Sequence, residues 1–119
     1  MKIAVLGTGN VGKALGCRWA RCGHTIYFGA RDQSSAEAQQ VLARAGENAR
    51  LGPCAEAIIA SDAVLLGIPF DQTQAVLASA PSLDGKIIID CINPLTPDLQ
   101  GLTLGHTTSA AEQIAEWCP

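Results

Sequence analysis

Charge is scarce in this 119-residue chain. Charged residues make up 16% of it against 48% hydrophobic, and the formal balance is −3. So apolar a composition argues against a disordered chain. The negative balance leaves no broad basic surface for nucleic acid or anionic lipid. An anionic ligand would have to be met locally, by a helix N-terminus or a single arginine. Long apolar runs are also missing. No segment approaches the roughly 18 residues that suggest a membrane span, and the polar "TGNVGK" follows "MKIAVLG" too soon for the apolar core of a signal peptide. Paired cysteines are missing too: Cys17, Cys22, Cys54, Cys91 and Cys118 are odd in number and contain no tight CxxC. This argues against a disulfide framework and a zinc site, and for reduced thiols in a cytoplasmic protein. With no repeat, low-complexity tract or linker, residues 1–119 read as one domain.

What is present is alternation. Ile3 to Leu6 is apolar throughout, as in a strand covered on both faces. A helical pattern follows, with Val11, Ala14, Leu15, Trp19 and Cys22 on its apolar face and Gly23 at its end. "TIYFG" (25–29) reads as a second strand. Ser34 or Ser35 then caps a helix that Gly46 stops. "NARLG" (48–52) holds a short strand, and Pro53 opens a helix. "DAVLLGI" (62–68) has the profile of a central parallel strand, "FDQTQAVLASA" (70–80) that of a helix, and "GKIIIDCIN" (85–93) contains the last clear strand. Ser109 and Glu112 make a capping-box pattern for a closing helix. About five strands alternating with helices predict an α/β fold, a doubly wound parallel sheet of Rossmann type.

Between the first strand and helix lies Gly7-Thr8-Gly9-Asn10-Val11-Gly12. A G-x-G-x-x-G match is weak alone, but here a strand precedes it, a helix begins inside it and a second strand follows. In that setting Gly7 permits the tight turn, Gly9 lets the backbone approach a pyrophosphate, and Gly12 lets the helix pack close to the strand. The helix N–H groups and dipole would hold the anion. An NAD site usually carries Asp or Glu at the tip of the second strand. This strand ends Phe28-Gly29-Ala30-Arg31, and a guanidinium suits the 2′-phosphate of NADP by charge and by its planar fork. Asp32 follows, and could pair with Arg31 or face a ribose. The same basic tip argues against S-adenosylmethionine, which can also use a glycine loop.

The stretches "GTGNVGKALGCRWARCGHTIYFGARD", "DAVLLGIPF", "GKIIIDCINPL" and "GHTTSAAEQIAE" together resemble the NADP oxidoreductase family that includes coenzyme F420-dependent (deazaflavin) NADP reductases. The dinucleotide domain of STEAP-type metalloreductases is similar. The resemblance implies that Thr8 and Arg31 contact the 2′-phosphate and that Asn10 and Val11 lie at the pyrophosphate. It also implies that Ile68 and Pro69 line the nicotinamide end, with the Asn93-Pro94 turn across the same crevice. Phe70 is a candidate wall of the acceptor pocket. Ala30 stands where many members have Ser, which removes one hydroxyl from the phosphate site.

The resemblance further implies a sixth strand and a C-terminal domain, which are not expected within these 119 residues. The expectation is either a minimal domain or a fragment, with the last strand at an exposed edge that a second copy would cover as a homodimer. Hydride transfer to a flavin or deazaflavin needs little from side chains. Reduction of a carbonyl would need an acid, for which His106, Asp90 and Cys91 are the nearest candidates. His24, Trp19 and Trp117 read as packing residues. Two functions stay open: an NADP-dependent oxidoreductase with a flavin- or deazaflavin-type acceptor, or an NADP(H)-binding module that needs a partner or further segment.

Overall fold

The computed structural model of the chain describes residues 1–92 and 108–118. Asn93, Pro94 and His106 lie outside the described residues. The elements alternate as β1 (Lys2–Leu6), α1 (Asn10–Arg21), β2 (Thr25–Gly29), α2 (Ala36–Ala45), β3 (Ala49–Gly52), α3 (Cys54–Ile59), β4 (Ala63–Leu66), α4 (Phe70–Ala78), β5 (Ile87–Asp90) and α5 (Ala110–Trp117). The five strands are parallel in the order β3-β2-β1-β4-β5. Strand order therefore reverses between β1 and β4, and a crevice opens outside their carboxyl ends at such a point.

β1 and β4 are central, and Val5 lies opposite Phe28 on one side and Leu65 on the other. Ile3 and Val5 feed a core with Cys17, Ala20, Phe28 and Val41, under α1 and α2. Ala4 and Leu6 feed a second core with Ile58, Val64, Leu77 and Ile114, under α3, α4 and α5. Alternate side chains of one strand thus serve opposite faces, which is why the run is apolar without a break.

The apolar face of α1 differs from the sequence expectation. Val11, Ala14 and Cys22 are exposed, and Leu15 and Trp19 only flank the core. The buried residues are Gly12, Gly16, Cys17 and Ala20. The cause is close approach: a Cβ on Gly16 would lie 2.5 Å from the ring of Phe28. Only small side chains fit where the helix crosses the sheet.

The caps follow the sequence more closely. Ser35 rather than Ser34 caps α2, its Oγ accepting from Ala38 N at 3.1 Å, and Gly46 ends that helix at φ 86°. Both bonds of the Ser109–Glu112 capping box form at α5. α4 stops at Ala78, two residues short of the expected end. There the Ser79 hydroxyl donates to Val76 O at 2.6 Å, a local bond that competes with further helix. The described sheet ends at β5, where Ile87 is 55% exposed.

Candidate functional site: a crevice at the carboxyl edge of the sheet

Backbone bonds tie the strand tips together. Gly7 N donates to Gly29 O at 2.9 Å, Gly67 N to Leu6 O at 2.9 Å, and Ala30 N to Gly52 O at 3.0 Å. Gly7 sits at φ 97°, and a Cβ there would lie 2.4 Å from Gly67 O. A Cβ on Gly12 would lie 2.4 Å from Gly7 O. Both glycines are demanded by the chain's own backbone.

Gly9 is different. Its φ of −74° suits any residue, and a Cβ there would meet nothing within 4 Å. It is the N-cap of α1, yet no side chain caps that helix end and its first turn has no acidic residue. The first N–H groups and the positive end of the dipole therefore face open space.

The space belongs to a crevice of three adjoining parts. One, of about 290 Å³, is lined by Gly9, Asn10, Val11, Ile68, Pro69 and Phe70, with Cys91 and Ile92 from the end of β5. The next, of about 270 Å³, holds Gly7, Thr8, Ala30, Arg31, Ser35 and Gln72, and shares Ile68 with the first. The third, of about 460 Å³, lies over α3 and α4 and shares Arg31, Cys54 and Val76 with the second. The predicted site residues are thus gathered along one edge, except Gly12, which packs inside, and Asn93 and Pro94, which are not described. Ser35, Gln72, Cys54 and Val76 are lining residues that sequence reasoning did not assign to the crevice. The signal for them was positional, since each lies just beyond a strand tip or on a helix that starts there.

Arg31 is exposed at the rim. Asp32 is turned to its own loop: its Oδ1 accepts from Ser34 N at 3.0 Å and from the Ser34 hydroxyl at 2.6 Å. These bonds hold its carboxyl below the usual aspartate range. Oδ1 is thus taken by this local partner, while Asp32 still lines the crevice beside Arg31. Gln33 Nε2 donates to Ala30 O and to Arg31 O, which fixes the turn that presents the guanidinium. Ser35 Oγ accepts its cap bond and so keeps its proton available to an acceptor in the crevice. Burial pushes the Cys54 thiol up, opposed by the charge of Arg31.

At the other end Phe70 stacks on Trp117, with ring centroids 5.5 Å apart and planes at 28°. Of the candidate acids, Asp90 accepts from Ile92 N at 2.8 Å and so closes a turn, while Cys91 lines the crevice. His24 immediately precedes β2, at the opposite edge of the sheet, with Nδ1 3.3 Å from the Met1 amine. Among the described residues no helix is long and apolar enough to cross a membrane.

The strand order, the glycine turn and the crevice at the switch point define a Rossmann-like α/β fold. Within that class the chain belongs to the coenzyme F420-dependent NADP oxidoreductase family, whose model matches residues 2–94. It is 32% identical over 130 positions to the F420-dependent NADP reductase of Methanothermobacter thermautotrophicus, covering 98% of this chain and 55% of that protein. A crystal structure from Arthrobacter sp. FB24, provisionally assigned as an F420-dependent NADP reductase, superposes with a TM-score of 0.84 at 30% identity, covering 98% of this chain and 57% of that one. An imine reductase from Streptomyces aurantiacus gives a TM-score of 0.69 at 25% identity, covering 99% of this chain and 38% of that one. The chain thus spans little more than half the length of the two reductases it matches.

Proposed function

We propose that this chain binds NADP(H) along the crevice and presents the nicotinamide beside Ile68, Pro69 and Phe70. The observation that carries the reading is the open space over Gly9, where a glycine is needed by nothing in the chain itself and a helix N-terminus has no side-chain cap. A pyrophosphate fits that place by charge and by size. Arg31, exposed at the rim, would meet the 2′-phosphate with Thr8 and the Ser35 hydroxyl beside it. When bound, NADPH supplies the hydride. The protein's part is to hold two rings together and keep water out, and the largely apolar lining at Val11, Ile68, Pro69 and Phe70 suits that task. The acceptor on this reading is a flavin- or deazaflavin-type ring.

Titration calorimetry with NADPH and NADH tests the cofactor. Oxidation of NADPH with coenzyme F420 or FMN tests the acceptor. Equal affinity for NADH would refute the role of Arg31. A second reading is favoured by the length comparison: a chain that spans about half of its relatives could bind NADP(H) and leave the acceptor side to a partner or further segment. Tight NADPH binding with no oxidation by either acceptor would select it. The proposal extends to a cytoplasmic protein with reduced thiols, and to a second copy covering Ile87 at β5. A concentration-independent monomer in sedimentation would refute that pairing.

A further inference from the structure

We propose that Trp117 is a positioning residue for the far end of the crevice: it backs Phe70 and holds that ring as a fixed wall of the nicotinamide subsite. The inference rests on the NADP(H) reading above.

Phe70 is the first residue of α4, directly after Pro69. It is half-buried and lines the crevice. An aromatic ring at such a position has open space on one side and moves between rotamers unless something stands behind it. Trp117 stands there, in an offset stack at 5.5 Å and 28°. Trp117 is itself held from behind. It packs against the second core, and α5 is anchored by Ile114 and Ala110, each 3% exposed, and by the capping box at its start. Among the described residues that line the crevice Trp117 is absent, so its route to a ligand runs through Phe70.

The test compares NADPH with 2′-phospho-ADP-ribose, the same molecule without its nicotinamide, by calorimetric titration of the full chain. The affinity gap between the two reads the nicotinamide end alone. In the wild type NADPH should bind more tightly. Trp117→Ala should narrow the gap roughly two- to tenfold, the range of an aromatic pair. Its affinity for the fragment should stay within a factor of about two. Trp117→Phe should keep the gap. Phe70→Ala should narrow it, and adding Trp117→Ala to that variant should narrow it no further, because the tryptophan acts through the phenylalanine. Melting temperatures establish that each variant is folded, and Trp117→Leu replaces Trp117→Ala if the latter is not. An unchanged gap, equal weakening of both ligands, or additive losses in the double variant would overturn the proposal. A wild type that binds both ligands with no gap overturns it while sparing the cofactor reading. A wild type that binds neither overturns both.

Discussion

Replacing Gly9 by serine should make the protein more stable and a poorer binder at once. At φ −74° and ψ −168° the position already has the extended geometry of an N-cap, and a Cβ there meets nothing within 4 Å. Replacing glycine at a compatible site gains about 0.4–1 kcal/mol by restricting the unfolded chain. Serine improves on glycine as a cap by a few tenths more. For a domain of this length that sum raises the melting temperature by about 3–6 °C. The same serine places Cβ and Oγ in the space assigned to the pyrophosphate, and its oxygen takes a first-turn N–H for itself. A phosphate oxygen that loses one charge-assisted bond forfeits about 1.5–3 kcal/mol, which is roughly ten- to a hundredfold in Kd. Thermal melts without ligand and calorimetric titration with NADPH measure the two effects separately. A variant that melts higher yet binds NADPH as the wild type does would show that no anion sits over Gly9. One that melts lower would show that the space is needed by the fold.

Gly12→Ala should do the reverse and lower the melting temperature steeply, because its Cβ would lie 2.4 Å from Gly7 O, a backbone atom that cannot move aside. Arg31→Ala should weaken NADPH about tenfold, the low end for a charge-assisted bond at an exposed rim, and leave NADH unchanged. Equal losses for both cofactors in parallel titrations would count against it. Maleimide should modify exposed Cys22 and Cys91 before half-buried Cys54, and Arg31→Ala should slow Cys54 further, since the guanidinium opposes the effect of burial; mass spectrometry of partly labelled protein reads the order. Asp32 has a depressed folded pKa, so the Ser34 bonds contribute fully above the unfolded value and are lost as the pH falls through the folded one. An NMR titration should place its midpoint below the ordinary aspartate range, and Ser34→Ala should bring it only part of the way back, because the backbone N–H bond of residue 34 remains.

Much of the fold was legible because its constraints are local. The Ile3–Leu6 run, the Ser109–Glu112 box and Gly46 each name their structure within a few residues of chain. The buried face of α1 was not, for a physical reason. Its contacts are made by Gly12, Gly16 and Ala20, which score weakly as hydrophobic residues and are chosen for size. Only the position of Phe28, from another element, shows that size is what matters. The Ser34 bonds of Asp32 were not read because Ser34, two residues on, reads equally as a helix cap.

The two ends of the crevice differ in legibility because they are built from different parts of the chain. At the end assigned to the pyrophosphate the surface is backbone, and backbone approach leaves glycine as its trace in the sequence. The spacing of Gly7, Gly9 and Gly12 can then be read without coordinates, and the structure adds which of the three the fold does not require. At the other end the wall is side chain, drawn from α1 at Val11, α4 at Phe70 and the end of β5 at Cys91, with Trp117 of α5 behind it. No spacing links residues brought together from four elements; Phe70 stood out as a candidate wall, while Trp117 by itself resembles an ordinary packing residue. Substitutions at Phe70 or Cys91 change the shape of the pocket without touching the glycine loop. One fold can therefore keep the backbone end of its crevice constant and vary the side-chain end, so on the proposed reading the acceptor is chosen by side-chain contacts rather than by the motif.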